Sequence, residues 1–230
     1  MRPLAIAHRG YHQKYFENTK EAFQAASGMD FYGIETDIHL TKDLHWITHH
    51  NDDIISDGKH FLISELNLKE ILAMHLDNDQ GHDNATVCKF EDYLAICKQS
   101  GKRPIIEIKN SPKRKYLKSL LKYIDEFIGL HNVTIIGFYP WPLWKIKFMR
   151  KYKVHMQHLI EKHTEFVYTS ILLGMDIDIE YVRLTDKMVK KMHRHGLKVN
   201  VWTIDDVEVL RKMEDMGVDY ITTDVFDQKA

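Results

Sequence analysis

Glu35-Thr36-Asp37 and Glu107-Ile108-Lys109 each continue a short apolar run, and in each the two charged side chains stand two residues apart. In a β-strand that spacing puts both on one face. If the two segments meet, Glu35, Asp37 and Glu107 bring three carboxylates to one place, where their repulsion calls for a cation between them. Oxygen-only ligands suit one divalent metal, Mg²⁺ or Ca²⁺, better than they suit zinc. Taken singly, each carboxylate is equally compatible with solvation in a loop or with pairing to a lysine. His8 closes the run Leu4-Ala5-Ile6-Ala7, and His49-His50 closes Trp46-Ile47-Thr48. Histidine exchanges protons near neutral pH, so two of them on opposite sides of a metal-bound group suit an acid and a base. Adjacent strand residues face opposite ways, so the pattern admits either His49 or His50. The chain holds 15 histidines, so position rather than number must decide. Arg9 offers a planar fork for phosphate oxygens and Lys109 a point charge. Together these groups describe a phosphoryl-transfer site, where positioning and charge neutralisation carry most of the catalysis. Trp202, after Val199-Asn200-Val201, offers either an apolar wall, with a face for a quaternary ammonium group, or ordinary barrel packing.

Positioning these residues requires strands whose ends converge. Strand-like runs occur at 4–8, 33–37, 44–50, 104–109, 133–138, 154–159, 176–182, 197–203 and 220–224. Amphipathic helical stretches separate most of them. Asn18 with Glu21 reads as a capping box opening a helix to about Ser27, and Asp205 with Glu208 as another. Ser111-Pro112 reads as a further helix start, and Gly196 and Gly217 as helix ends. Strand alternating with helix predicts a parallel sheet. Thr41-Lys42-Asp43 is too short for a crossover, so 44–50 is predicted to return antiparallel to the strand before it. Eight strands then remain, which predicts an α/β fold of the (β/α)₈ TIM-barrel type, with an open doubly wound sheet as the alternative. The long stretch at approximately 51–100 predicts an insertion after the second strand. With no repeat or linker, residues 1–230 read as one domain.

Composition narrows the function further. The 32 Lys+Arg against 33 Asp+Glu leave no basic excess, which argues against general nucleic-acid binding. Cys88 and Cys97 are too few for a disulfide framework, and no signal-like or membrane-spanning run occurs, so the expected location is cytoplasmic.

The motifs resemble those of the glycerophosphodiester phosphodiesterases. His8-Arg9-Gly10 with Glu17-Asn18-Thr19 and Ala22-Phe23 resembles the family's first block. Gly33-Ile34-Glu35-Thr36-Asp37 with Leu40-Thr41-Lys42-Asp43 resembles the second. His50 falls where the family's second catalytic histidine stands. Ile106-Glu107-Ile108-Lys109 is similar to the strand of its third metal carboxylate, and Gly196-Leu197 to Thr203 and Gly217 to Asp224 to its C-terminal blocks. The matches keep their order over residues 4–224. The resemblance implies a TIM-type barrel that hydrolyses glycerophosphodiesters, such as glycerophosphocholine or glycerophosphoethanolamine, to glycerol 3-phosphate and an alcohol. It implies Glu35, Asp37 and Glu107 as metal ligands, His8 and His50 as acid and base, and Arg9 and Lys109 at the phosphate. The chain departs from the family at Asn51, where Asp is usual, and at 54–58, where an Arg-Thr-Thr run is missing. It departs again at Gly137 and at Val225-Phe226, and these changes bear on substrate preference. The alternatives are a phospholipase D-like activity on lysophospholipids, with Tyr139, Trp141, Trp144, Lys145 and Lys147 as an interfacial patch, and a non-catalytic phosphate-binding barrel.

Overall fold

The computed structural model describes residues 2–77, 85–149 and 151–227. Eight parallel strands close on themselves: β1 (Leu4–Ala7), β2 (Gly33–Leu40), β3 (Arg103–Ile108), β4 (Thr134–Gly137), β5 (His155–Ile160), β6 (Asp176–Glu180), β7 (Val199–Trp202) and β8 (Tyr220–Thr223). Each pairs with the next, and β1 pairs with both β8 and β2, so the ring has no free edge and the open-sheet alternative falls. The helices that return the chain are α1 (Lys20–Ser27), α2 (Phe90–Ser100), α3 (Arg114–Phe127), α4 (Pro140–Lys147), α5 (Phe166–Leu173), α6 (Asp186–Arg194) and α7 (Val207–Met216). Among the described residues, no helix is long and apolar enough to cross a membrane.

Strand alternation divides the core. Ile6, Ile105, Ile136 and Leu159 cluster inside the ring. Their neighbours Ala5, Ala7, Ile34, Ile38, Ile106, Ile108, Val199 and Val201 point outward into the larger core beneath the helices. Glu35, Asp37 and Glu107 keep the inward parity, near the strand ends where the loops of a barrel build its site.

The chain between β2 and α2 forms a self-packed excursion. Trp46–Thr48 runs antiparallel to β2, with Ile38 opposite Thr48, as the short turn predicted. Asp53–Ser56 and Lys59–Leu62 form a hairpin, and Cys88–Lys89 pairs with Trp46–Thr48. Ile47, Ile54, Ile63, Ile71, Leu76 and Val87 make a separate small core. The final part of the predicted insertion differs in role, because α2 is a barrel helix. Its Tyr93 packs edge-on to Phe23 of α1, ring centroids 4.9 Å apart, and its hydroxyl donates to Ile34 O at 2.7 Å.

Three helix starts differ from the sequence expectation. Thr19, not Asn18, caps α1, accepting from Ala22 N at 3.3 Å. Asn18 takes a φ of 56° that leaves its side chain free for the site. Asp206, not Asp205, caps α7, and α3 begins at Arg114 after Lys113 rather than at Pro112. Asp205 instead accepts from Asp224 N at 2.8 Å, fixing the chain after β8.

Gly10 lets the β1–α1 loop lie against α1. Its φ is 83°, and a Cβ there would meet the Ala22 carbonyl carbon at 2.7 Å. Gly10→Ala is therefore expected to cost about 1–3 kcal/mol, read from the denaturation midpoint. A change within about 0.5 kcal/mol would mean that the loop yields.

Candidate active site

The three carboxylates meet because β2 and β3 pair with Asp37 opposite Glu107. Oxygens of Glu35, Asp37 and Glu107 lie within 4.8 Å of one another, and all three side chains are buried. Two cations share the cluster. Lys109 Nζ is 3.3 Å from Asp37 and 3.1 Å from Glu107, and Arg9 Nε is 3.4 Å from Asp37. The Arg9 guanidinium also donates to Glu17 at 2.8 Å, and its backbone N–H donates to Glu35 at 2.9 Å from a residue held at φ 54°.

Electrostatics treats the three acids differently. Burial and the charge of Asp37 push Glu35 well above the usual carboxylate range. Burial and Asp37 likewise push Glu107 up to about 7. Burial opposes ionisation of Asp37 too, but Lys109 and Arg9 outweigh it and hold its carboxyl below the ordinary value. Asn18 adds to this by donating from Nδ2 to Asp37 at 3.0 Å, while its Oδ1 accepts from Thr36 Oγ1 at 2.7 Å. The charges do not balance: three buried carboxylates face two cations, and Asp37 Oδ1 lacks an aligned hydrogen bond. An all-oxygen set, in which burial and mutual repulsion hold protons on Glu35 and Glu107 and Asp37 Oδ1 has only the ion pair to Lys109, fits a hard divalent cation, which would take the place of those protons.

The histidines approach from two sides. His8 follows β1, where its N–H bonds to Thr223 O at 3.0 Å. Its Nδ1 lies 2.8 Å from Asp224 Oδ1, which turns Nε2 away from the carboxylate. His50 lines the same cavity, with Nδ1 3.0 Å from Asn51 Oδ1. Burial and then the charge of Arg9 lower its pKa. His49 is buried on the other side, with Nε2 3.0 Å from Asp53 O. The structure therefore brings His50, not His49, to the carboxylates.

The cavity holds about 290 Å³. His8, Arg9, Glu35, His50 and Glu107 line it together with Phe138 and Trp202, whose rings stand edge-on at 5.7 Å. Three functional candidates have roles that the sequence does not mark, although Asn18 and Asp224 fall within the blocks that resemble the family. Asn18 looks like a helix cap but serves Asp37. Asp224 comes from beyond β8 to orient His8. Asp178 lines the cavity from β6 and, buried with one oxygen unpartnered, is pushed up to about 8. Strand parity could have placed Asp178 inside, since it shares a face with Asp176 and Glu180, but nothing in the sequence set it apart from them.

The chain is similar to known proteins over nearly its whole length. The family model for the glycerophosphoryl diester phosphodiesterase family matches residues 8–228. The chain is 27% identical over 234 residues to the glycerophosphodiester phosphodiesterase of Caldanaerobacter subterraneus subsp. tengcongensis, covering 97% of this chain and 95% of that one. A crystal structure of a glycerophosphodiester phosphodiesterase from Parabacteroides distasonis is similar with a TM-score of 0.82 at 27% identity, covering 97% and 93% of the two chains. The structure of an Oleispira antarctica phosphodiesterase in complex with the product sn-glycerol-3-phosphate has the same fold, with a TM-score of 0.84 at 20% identity over 97% and 93%.

Proposed function

The chain belongs to the glycerophosphoryl diester phosphodiesterase family and is an enzyme of that class, and from that premise we propose that it hydrolyses glycerophosphodiesters to glycerol 3-phosphate and an alcohol with the help of one divalent metal ion. The observation that carries this is the joining of three buried carboxylates with His8 and His50 around one cavity. Glu35, Asp37 and Glu107 hold the ion, Mg²⁺ or Ca²⁺. When bound, it neutralises the non-bridging phosphate oxygens. Arg9 and Lys109 hold those oxygens from the protein side, and Trp202 walls the departing head group.

His50 is the base. Burial and Arg9 keep its ring neutral, so it can take the proton of the attacking oxygen, of water or of the substrate's own 2-hydroxyl. His8 is the acid. Its Nδ1 is committed to Asp224, so Nε2 faces the cavity and gives its proton to the alkoxide as the phosphorus–oxygen bond breaks. Because His50 is held low, the acid limb of kcat/KM is expected below pH about 6.5, the ordinary histidine value. A limb above that value would assign the base to another group. Trp202→Ala is expected to raise KM for glycerophosphocholine by about tenfold with little change in kcat, consistent with the value of a desolvated cation–π contact.

Release of glycerol 3-phosphate from glycerophosphocholine and glycerophosphoethanolamine tests the reading. Turnover is expected to stop with EDTA and return with Mg²⁺ or Ca²⁺. Release from neither substrate, or release indifferent to EDTA, overturns it. Lysophospholipid run in parallel detects the phospholipase D-like alternative, for which the cavity offers no specific support.

A further inference from the structure

A second histidine shares the carboxylate that orients His8. His12, in the β1–α1 loop, places Nε2 2.7 Å from Asp224 Oδ1, the same oxygen that lies 2.8 Å from His8 Nδ1. One oxygen at this range from two ring nitrogens is more than the orientation of His8 requires. The His12 contact is also not an aligned hydrogen bond, because the buried Nε2 has no partner in its N–H direction. The three donor atoms lie within 4.8 Å of one another. Their side chains keep 20%, 17% and 23% exposure, so the cluster lies just beneath the surface.

We propose that His8, His12 and Asp224 form a second metal site, distinct from the three-carboxylate cluster, for a borderline transition-metal ion such as Zn²⁺. Two imidazole nitrogens and one carboxylate are a set that zinc prefers and that Mg²⁺ and Ca²⁺ do not. Three protein ligands just beneath the surface leave a fourth position for water. Occupation has a consequence that rests on the catalytic role proposed for His8. An ion on Nδ1 fixes the remaining ring proton on Nε2. The neutral metal-bound ring has no lone pair with which to accept a proton, and it does not release its last proton near neutral pH. His8 is then silenced as acid and as base, and zinc acts as an inhibitor.

The test uses the full chain in excess Mg²⁺, which fills the carboxylate cluster. Co²⁺ is added and its visible d–d absorption followed, with Zn²⁺ as competitor. Wild type and Glu107→Gln are expected to show the same band, displaced by Zn²⁺. His12→Gln is expected to bind on the order of 100-fold more weakly, since losing a ligand costs at least what losing a supporting partner does. Asp224→Asn provides a second binding variant if His12→Gln does not fold by circular dichroism. Equal Co²⁺ binding by wild type and the folded variant overturns the site. In hydrolysis, His12→Gln is expected to match wild type without zinc and to resist zinc that stops wild type. Equal inhibition of both also overturns the site. A band lost in His12→Gln beside wild-type hydrolysis indifferent to bound zinc keeps the site and overturns instead the role of His8.

Discussion

His8→Ala is expected to lower kcat by about 10³–10⁴-fold, the upper part of the range for a positioned acid, with KM changed by less than about threefold because the ring acts on the leaving oxygen, whose charge develops only in the transition state. The magnitude follows from how much structure serves this one ring. The backbone of His8 is tied to β8 through Thr223 O, and its Nδ1 to Asp224 Oδ1 at 2.8 Å. Asp224 is itself fixed through its N–H to Asp205 at 2.8 Å. The acid assignment makes a further demand. A leaving group that departs without a proton, such as p-nitrophenolate, should recover most of the loss in His8→Ala. It should recover little of the loss in His50→Ala, where the missing step is activation of the attacking oxygen. Equal losses for good and poor leaving groups in His8→Ala would remove His8 from the acid role. Asp224→Asn should fall between wild type and His8→Ala, because an amide can present its oxygen to Nδ1 but cannot balance the charge of an imidazolium.

The parts of this site that were legible in the sequence are those governed by strand period. The pairs Glu35/Asp37 and Glu107/Lys109 are on one face because alternation is local, and in the structure Glu35 and Asp37 meet in one cluster and Lys109 Nζ lies 3.1 Å from Glu107. The antiparallel return of Trp46–Thr48 was legible because three residues cannot hold a crossover. What period does not carry is register between distant strands. Asp37 stands opposite Glu107 only because β2 and β3 pair as they do, across the whole excursion and α2. The choice of His50 over His49 came from family resemblance and not from pattern, since two adjacent histidines give period nothing to separate. Asn18 has the look of a cap for a physical reason. A polar residue three positions before a glutamate has the form of a cap, and only its positive φ, with Thr19 beside it able to cap, releases it to hold Asp37. Asp205 and Asp206 pose the same problem, because either acid can cap and the backbone decides which. His12 had no signal at all, because its partner lies more than two hundred residues away at the far end of the barrel closure.

Asp37→Asn tests the carboxylate cluster most severely, because Asp37 is the member that stays ionised and so sets the state of the other two. The variant is expected to lose at least about 100-fold in Mg²⁺ affinity by calorimetry, and its turnover should fall below detection at Mg²⁺ levels that saturate wild type. Stability should suffer much less. Stripping one partner from a buried ion pair typically costs about 3–5 kcal/mol, but here neither cation is left alone. Lys109 keeps Glu107 at 3.1 Å, and Arg9 keeps Glu17 at 2.8 Å. Removing the charge of Asp37 also removes a repulsion that raises both Glu35 and Glu107, so those acids ionise more readily and take over part of its pairing. The expected cost without metal is therefore about 1–2 kcal/mol, below that of an isolated pair. With Mg²⁺ present the gap should widen, since an ion that binds only the folded state stabilises wild type and not the variant. Thermal unfolding of both proteins with Mg²⁺ and with EDTA reads this directly. A variant that gains as much from Mg²⁺ as wild type does would place the ion elsewhere, whatever its activity.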